Sequence, residues 1–105
     1  MTGGPGMLSS SAVVVTDAPA RYAKQLLSHL GRKTSVESLP DAPDGGRLVF
    51  SDGSAALRPS DGRLLLEVSA QDADGLAHVE DVVKRHLERF GARNELSVDW
   101  QRAPG

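Results

Sequence analysis

Turns containing glycine divide the middle of the chain into short segments, and they constrain the fold more than any other feature. They stand at Asp44-Gly45-Gly46, Ser51-Asp52-Gly53 and Ser60-Asp61-Gly62. Asp-Gly pairs suit tight hairpin turns because glycine accepts a positive φ. The segments between these turns are too short for helices, so we predict an antiparallel meander. Its strands are expected at residues 34–38, 47–50, 54–58 and 63–69.

A helix is predicted before the meander, over residues 19–30. Pro19 suits a first helical turn because the amide proton that it lacks would have no partner there, and Thr16 or Asp17 can cap the helix. We expect Gly31 to end it in a left-handed conformation. The apolar stripe at helical spacing consists of Ala23, Leu26, Leu27 and Leu30.

A second helix is predicted after the meander, from residue 72 or 73 to residue 90. Its solvated face carries the pairs Glu80–Lys84 and Asp81–Arg85, which have the favourable acid-first i,i+4 order and contribute a few tenths of a kcal/mol each. Its apolar stripe consists of Leu76, Val79, Val83, Leu87 and Phe90.

One strand is expected at each end of this pattern. The β-branched run at residues 11–16 predicts the first, and residues 95–101 predict the last, with Trp100 at the edge of the core. The order β-α-β-β-β-β-α-β predicts an α+β fold, a two-layer sandwich with a mostly antiparallel sheet and both helices on one face. A ferredoxin-like arrangement with extra strands is the alternative.

The length of 105 residues fits a single domain, which we place at residues 11–102. Residues 1–10 are rich in glycine and are expected to form a disordered lead-in, and residues 103–105 a frayed tail. The lead-in lacks the features of a signal peptide, and the chain has no apolar run of membrane-spanning length. A cytoplasmic location is therefore expected.

Composition excludes several kinds of site. The net charge of -2 and the aromatic content of 4% argue against nucleic acid or an anionic membrane as a partner. The absence of cysteine excludes disulfides and thiolate metal sites. We expect no metal site and no cofactor.

The three histidines are the only side chains that ordinarily titrate near neutral pH. On the second helix, His86 lies about 50° from the centre of the apolar stripe and borders the core, whereas His78 lies about 130° away. We expect His78 to form a loose surface ion pair with Asp74 and Asp81. The two histidines are too far apart in sequence to share a metal as an i,i+4 pair.

The first helix places Tyr22, His29 and Lys33 within a band of about 40° at the rim of its stripe. If the two helices lie side by side, His29 and His86 would both face the groove between them. No catalytic motif accompanies either ring, and Ser28 points about 100° away from its neighbour His29. The catalytic residues, if there are any, stay unknown at this stage, and a non-catalytic role is favoured.

Three segments occur in order along the chain: RYAKQLLSH (21–29), followed by Lys33, then EDVVKRHLERF (80–90) and VDWQR (98–102). Together they resemble the bacterial domain-of-unknown-function family 2218, over residues 11–102. The resemblance implies a small bacterial domain without established activity, some members being found beside or fused to flavin-dependent siderophore-interacting reductases. It identifies the matched polar positions as Tyr22, Gln25, His29 and His86.

The chain departs from the family pattern at three positions. The pattern often has a second histidine where this chain has Arg32, and cysteines where it has Leu27 and Ala55. The resemblance therefore implies no tight metal or redox site here.

Three functions follow as hypotheses. The first is a binding or accessory module for siderophore or iron metabolism, which holds a small ligand between helices and sheet or binds a siderophore-interacting reductase. The second is a small hydrolase or isomerase with His29 or His86 as its base. The third is a dimerisation module that uses an exposed sheet face or edge, so the protein is expected to be a monomer or a homodimer.

Overall fold

A computed structural model describes residues 7–103 of the chain. Within these residues, six strands and two helices follow one another in the predicted order, which confirms the α+β fold. The strands are β1 (Leu8–Val15), β2 (Ser35–Glu37), β3 (Gly46–Phe50), β4 (Gly53–Ser60), β5 (Arg63–Ala70) and β6 (Gln101–Arg102). The helices are α1 (Pro19–Leu30) and α2 (Ala73–Phe90).

The strands form one sheet in the order β2-β3-β4-β5-β1-β6, and every neighbouring pair is antiparallel. The predicted meander is therefore present. Ser60 pairs with Arg63 across the β4–β5 turn, where Gly62 has a φ of +69°. That conformation is the reason for glycine at this position. All eight residues of β1 pair with β5, so the first strand lies beside the last strand of the meander.

Both helices cover the same face of the sheet. Alternate residues of β1 and β5 are buried against them because successive side chains of a strand point to opposite faces. Each fully buried leucine or valine contributes roughly 1.5–3 kcal/mol to folding. The largest side chains of this core are Leu26, Leu48, Leu57, Leu64, Leu66, Leu76, Leu87, Val14, Val68, Val79, Val83 and Val98.

The other face of the sheet is only partly covered. The loop of residues 38–45 packs Leu39 and Ala42 against Ala56 and forms a second, small apolar cluster. On β1 this face is open, and Val13 and Val15 are 55% and 81% exposed.

The ends of α1 differ from the prediction although its bounds agree. Its N-cap is Ala18, without a capping side chain, and the Thr16 hydroxyl instead accepts a hydrogen bond from the Ala18 amide. Gly31 is not left-handed, with φ -62° and ψ -13°. Glycine is favoured at this position because the Cβ of any other residue would lie 2.5 Å from the Leu27 carbonyl oxygen.

The predicted last strand is wrong over most of its length. Leu96 and Val98 are buried as their alternation predicted, but only Gln101 and Arg102 pair with β1. The Val98 backbone is bonded to side chains of α2: its amide donates to Glu88 and its carbonyl accepts from Lys84. Alternating burial therefore arises here without the hydrogen bonds of a sheet.

The predicted Glu80–Lys84 pair is also wrong. Glu80 is buried and accepts hydrogen bonds from Arg102, at 3.2 Å from Nε and 2.8 Å from Nη2. Burial by itself would raise the pKa of Glu80, but the hydrogen bonds from Arg102, the nearby Ser10 hydroxyl and the positive charge of Arg102 together outweigh it and hold the pKa below its usual value. The other predicted pair, Asp81–Arg85, is present at the surface.

The chain ends differ from the predicted domain limits where the structure describes them. Residues 8–10, assigned to the disordered lead-in, belong to β1, and the Ala103 amide of the predicted tail donates to the Ser9 carbonyl at 3.0 Å. Pairing within the sheet orders both segments. Residues 1–6 and 104–105 lie outside the described residues. Neither α1 nor α2 has the length and apolarity needed to cross a membrane.

Candidate functional site

The rings of His29 and His86 are in contact on the outer side of the helix pair. Their centroids are 5.1 Å apart and their planes are inclined by 49°. His29 lies in the last turn of α1 and is exposed, and His86 lies near the end of α2 and is half-buried. The convergence expected from helical spacing is thus observed.

Phe90 forms an apolar wall beside both imidazoles. It stands one helical turn after His86, and its ring centroid lies 5.7 Å from that of His29 and 6.2 Å from that of His86. Edge-to-face contacts of this kind contribute about 0.5–1.5 kcal/mol each. The helical pattern predicts Phe90 only as a core residue. Its i,i+4 spacing from His86 is the signal that could have identified the contact between the two rings.

The His86 ring has a defined tautomer in its neutral form. Its Nδ1 lies 2.7 Å from the Val82 carbonyl oxygen, one turn earlier in α2. Because a carbonyl oxygen only accepts hydrogen bonds, Nδ1 carries the proton, and Nε2 of the neutral ring has a free lone pair. His86 is therefore held in place by its own helix while Nε2 is left for another group.

Arginine side chains border the pair on α2. Arg85 and Arg89 line, with His86, a surface depression of about 240 Å³. Arg85 Nε donates to Asp81 at 2.8 Å, whereas Arg89 makes no ion pair among residues 7–103. The sequence did not single out Arg89, which the i,i+3 spacing from His86 places on the same side of the helix.

Tyr22 does not lie with His29 and His86 at the surface of the helix pair. It is 2% exposed and packs in the core, and its hydroxyl oxygen accepts a hydrogen bond from Asn94 at 3.0 Å. Helical spacing put Tyr22 at the rim, but it could not show that the turn after α2 covers its hydroxyl group. Gln25 is exposed and stands one turn before His29.

His78 lies apart from the pair and has a different partner from those predicted. Its Nδ1 lies 2.8 Å from Asp52 of the β3–β4 turn, not beside Asp74 or Asp81. The turn reaches the start of α2, where a Cβ on Gly75 would lie 2.5 Å from the Asp52 carbonyl oxygen. Tertiary packing thus supplies a carboxylate that the helix sequence could not indicate.

The helix–sheet interior offers no room at the predicted residues. Core side chains fill the space around Tyr22, so a ligand held between the helices and the sheet there is wrong. A larger depression of about 510 Å³ lies on another side of α1, bordered by Leu27, Val36 and Pro43. It contains no histidine.

The donor set at the histidine pair does not complete a metal site or a catalytic triad within the described residues. No group of three or more histidine and carboxylate side chains there is arranged to hold a metal ion. Neither ring is hydrogen-bonded to a serine or threonine hydroxyl in residues 7–103. The groups that the pair presents are ring nitrogen atoms and aromatic faces beside Phe90.

Comparison with known proteins agrees with this fold. A family model described as "Uncharacterized protein conserved in bacteria (DUF2218)" matches residues 11–101. A search of curated proteins finds no match. Among solved structures, the chain is similar to the NMR structure of PA4090 from Pseudomonas aeruginosa, with 33% identity, a TM-score of 0.72, and coverage of 90% of this chain and 95% of that chain. Since the family model spans most of the sequence, the chain belongs to the DUF2218 family of uncharacterized bacterial proteins.

Proposed function

We propose that this domain is a non-catalytic binding or accessory module whose ligand site is the His29–His86 pair on the outer side of the helices. The observation that carries the proposal is the contact of the two rings, with centroids 5.1 Å apart, beside the Phe90 ring. Such a surface combines polar ring atoms with an apolar wall, as small-molecule sites do. Gln25, exposed one turn before His29, is the further polar group expected at its edge.

The fixed orientation of His86 supports a binding role. A ring that is already bonded through Nδ1 loses little freedom when Nε2 meets a ligand, which lowers the cost of binding. His29, on the other helix, then supplies a second contact. Bringing the two groups together requires the folded helix pair, so the site exists only in the assembled domain.

A link to siderophore or iron metabolism is part of the proposal. It is supported by the resemblance to domains that occur beside or fused to siderophore-interacting reductases. The ligand would then be a ferric siderophore or a related small molecule, and the partner such a reductase. In either case we expect the His29–His86 surface to be the part that is covered.

The test is a titration of the protein followed by NMR, through the ring signals of the three histidines and the methyl signals of Leu27 and Val36. The ligands are iron-free siderophores, their Ga(III) complexes as diamagnetic replacements for Fe(III), haem, Fe(II), Fe(III) and Zn(II). We expect the signals of His29 and His86 to shift together and those of His78 to stay unchanged. Shifts confined to Leu27 and Val36 at the larger depression, or no shift with any ligand, would contradict the proposal.

Matched variants complete the test. His29→Gln and His86→Gln should each weaken binding about tenfold or more, the usual effect of losing one charged hydrogen bond. His78→Gln removes the third imidazole and should leave binding unchanged. Binding to a siderophore-interacting reductase is tested with the same variants, in a binding assay with the purified enzyme.

Self-association through the sheet is a second candidate function. The observation that favours it is the exposure of Val13 and Val15, at 55% and 81%, on the sheet face away from the helices. Exposed apolar side chains on one sheet face form a contact surface when they join into a contiguous patch. Light scattering of the wild type and of Val15→Lys tests it: a dimer that the variant dissociates supports self-association, and a monomeric wild type excludes it.

A further inference from the structure

The charges of the chain are separated, although its net charge is only -2. From Ala18 to Val36, which includes all of α1, there is no acidic residue. The same segment contains four cationic side chains, Arg21, Lys24, Arg32 and Lys33, and none of them makes an ion pair with a residue in the range 7–103. The formally charged side chains of the helix that carries His29, and of the turn that follows it, are thus all cationic.

The positions one helical turn from His29 contain no carboxylate. They are Gln25, Leu26, Arg32 and Lys33. The corresponding positions around His86 are Val82, Val83, Arg89 and Phe90. At these positions, both imidazoles therefore have only neutral and cationic side chains.

The closest acidic position to His86 in the sequence of α2 is Glu88, which accepts hydrogen bonds from Lys84 at 2.8 Å and from the Val98 amide at 2.9 Å. The next is Asp81, and Arg85 engages it at 2.8 Å. His78 provides the contrast within the same helix, because it lies beside Asp52 at 2.8 Å. One histidine of this protein thus has a carboxylate partner, and two lie together on a cationic surface without one. An anion from solution would supply the missing negative charge.

Resting on the proposed function, we propose that the His29–His86 site takes an anionic ligand, a carboxylate or a tetrahedral oxyanion, and that binding takes up a proton. Arg89 is the nearby guanidinium for the same anion, since it lines the depression beside His86 and has no ion-pair partner among residues 7–103. Arg32 and Lys33 add positive charge from the turn after α1.

Proton uptake follows from the hydrogen bond of His86. Nδ1 donates to the Val82 carbonyl, so Nε2 of the neutral ring presents a lone pair, which repels an anion. Only the protonated ring presents an N–H at Nε2. An anion bound there therefore selects the charged ring, and because binding takes up a proton its affinity rises as pH falls.

Sulfate is the first probe, because its charge stays constant over the range studied, and benzoate is the second, because its ring can also stack on Phe90. Binding is followed by the histidine ring signals between about pH 5.5 and about pH 8, at constant ionic strength. We expect up to about a tenfold gain in affinity per pH unit, the limit for one linked proton. Glycerol and tetramethylammonium, as neutral and cationic probes, should not bind.

The variants separate the parts of the inference. His86→Gln keeps a polar side chain that cannot be protonated, so it should weaken sulfate binding and flatten its pH dependence. Arg89→Gln should weaken binding about tenfold while keeping the pH dependence. His78→Gln should behave as the wild type, and circular dichroism of each variant checks that it is folded.

Each contrary outcome has its own meaning. Anion binding that does not vary with pH would overturn the proton uptake. Failure of both anions, while a neutral or cationic Ga(III) siderophore complex shifts the His29 and His86 signals, would overturn the anion assignment and leave the proposed function standing. Failure of every ligand at these two rings would overturn both.

Discussion

The Glu80 carboxylate, buried on α2, accepts hydrogen bonds from both Nε and Nη2 of Arg102 and so joins the long helix to the last strand of the sheet. Of the predicted strand at residues 95–101, only the last residue, Gln101, pairs with β1, and Arg102 extends that pairing. The C-terminal segment is thus held to the helix by hydrogen bonds, in addition to the burial of Leu96 and Val98 in the core.

Replacing Arg102 should destabilise the protein, because it leaves a buried carboxylate without its partner. Arg102→Met is expected to lower the free energy of unfolding because Glu80 loses its partner, although solvent moderates the loss, since half of the arginine side chain is exposed. Arg85→Met removes the exposed pair with Asp81 and should cost less than about 0.5 kcal/mol. Urea denaturation compares the two, and equal losses would contradict the special position of Glu80.

The same carboxylate should contribute to acid unfolding. The pKa of Glu80 is lowered in the folded protein, so its stabilising contribution is present above the usual glutamate pKa and is lost as pH falls through the lowered value. Glu80→Gln should therefore lose less stability than the wild type between pH 7 and about pH 3. Denaturation curves at both pH values measure this, and a loss equal to that of the wild type would refute it.

Glu88 should protect one backbone amide in particular. It accepts from the Val98 amide at 2.9 Å and from Lys84 at 2.8 Å. In Glu88→Ala, hydrogen exchange at Val98 should become about tenfold faster, because the amide loses its acceptor. Asp99→Ala, which changes an exposed residue of the same segment, is the control. Unchanged protection of Val98 in Glu88→Ala would show that another group holds the segment.

Two glycines should respond differently to asparagine. Gly62 has a φ of +69° and open space around it, so Gly62→Asn should be tolerated better than Gly62→Ala, which is expected to cost about 1–2 kcal/mol. At Gly31 the obstacle is the Leu27 carbonyl oxygen, 2.5 Å from an added Cβ, and asparagine should be no better than alanine. Thermal denaturation of the four variants tests this, and rescue by asparagine at Gly31 would point to a left-handed cap.

Removing one core side chain should show how far the fold depends on the helix–sheet contact. Leu26 is fully buried, and Leu26→Ala is expected to cost about 2–5 kcal/mol, from lost burial and the cavity left behind. Ser28→Ala, on the exposed side of the same helix, should change stability by less than about 0.5 kcal/mol. A small loss in Leu26→Ala would mean that the core relaxes to fill the cavity.

Local patterns predicted much of the fold. The apolar stripe and Pro19 predicted the bounds of α1, and the glycine turns predicted the meander, because both depend on neighbouring residues in the chain. The path of residues 91–100 could not be predicted in this way. There the side chains of Glu88 and Lys84 make the hydrogen bonds of the Val98 backbone. The alternation of apolar and polar residues in this segment is the same as in a strand, so it does not reveal these contacts with the helix.

The candidate site likewise contains some features that local spacing predicted and others that depend on contacts with the rest of the chain. Helical spacing identified the faces of His29 and His86, and it failed for Tyr22, which a later turn covers. It could not show that Glu80 is buried, because the spacing of Glu80 on the helix is that of an ordinary solvent-exposed acid. The contact with Arg102 of the last strand becomes visible only in the structure. Burial of a polar group depends on what the rest of the chain places over it.

The hydrogen bond from the Ala103 amide to the Ser9 carbonyl brings the entering and leaving strands of the domain side by side. A host protein could therefore receive this domain within one of its surface loops without spreading the ends of that loop apart. Joining the two ends by a short linker and reopening the chain at the exposed Asp61-Gly62 turn should likewise keep the sheet intact. We therefore expect the domain to keep its fold when it is inserted into a loop of another protein, as well as when it is joined to another protein at one end.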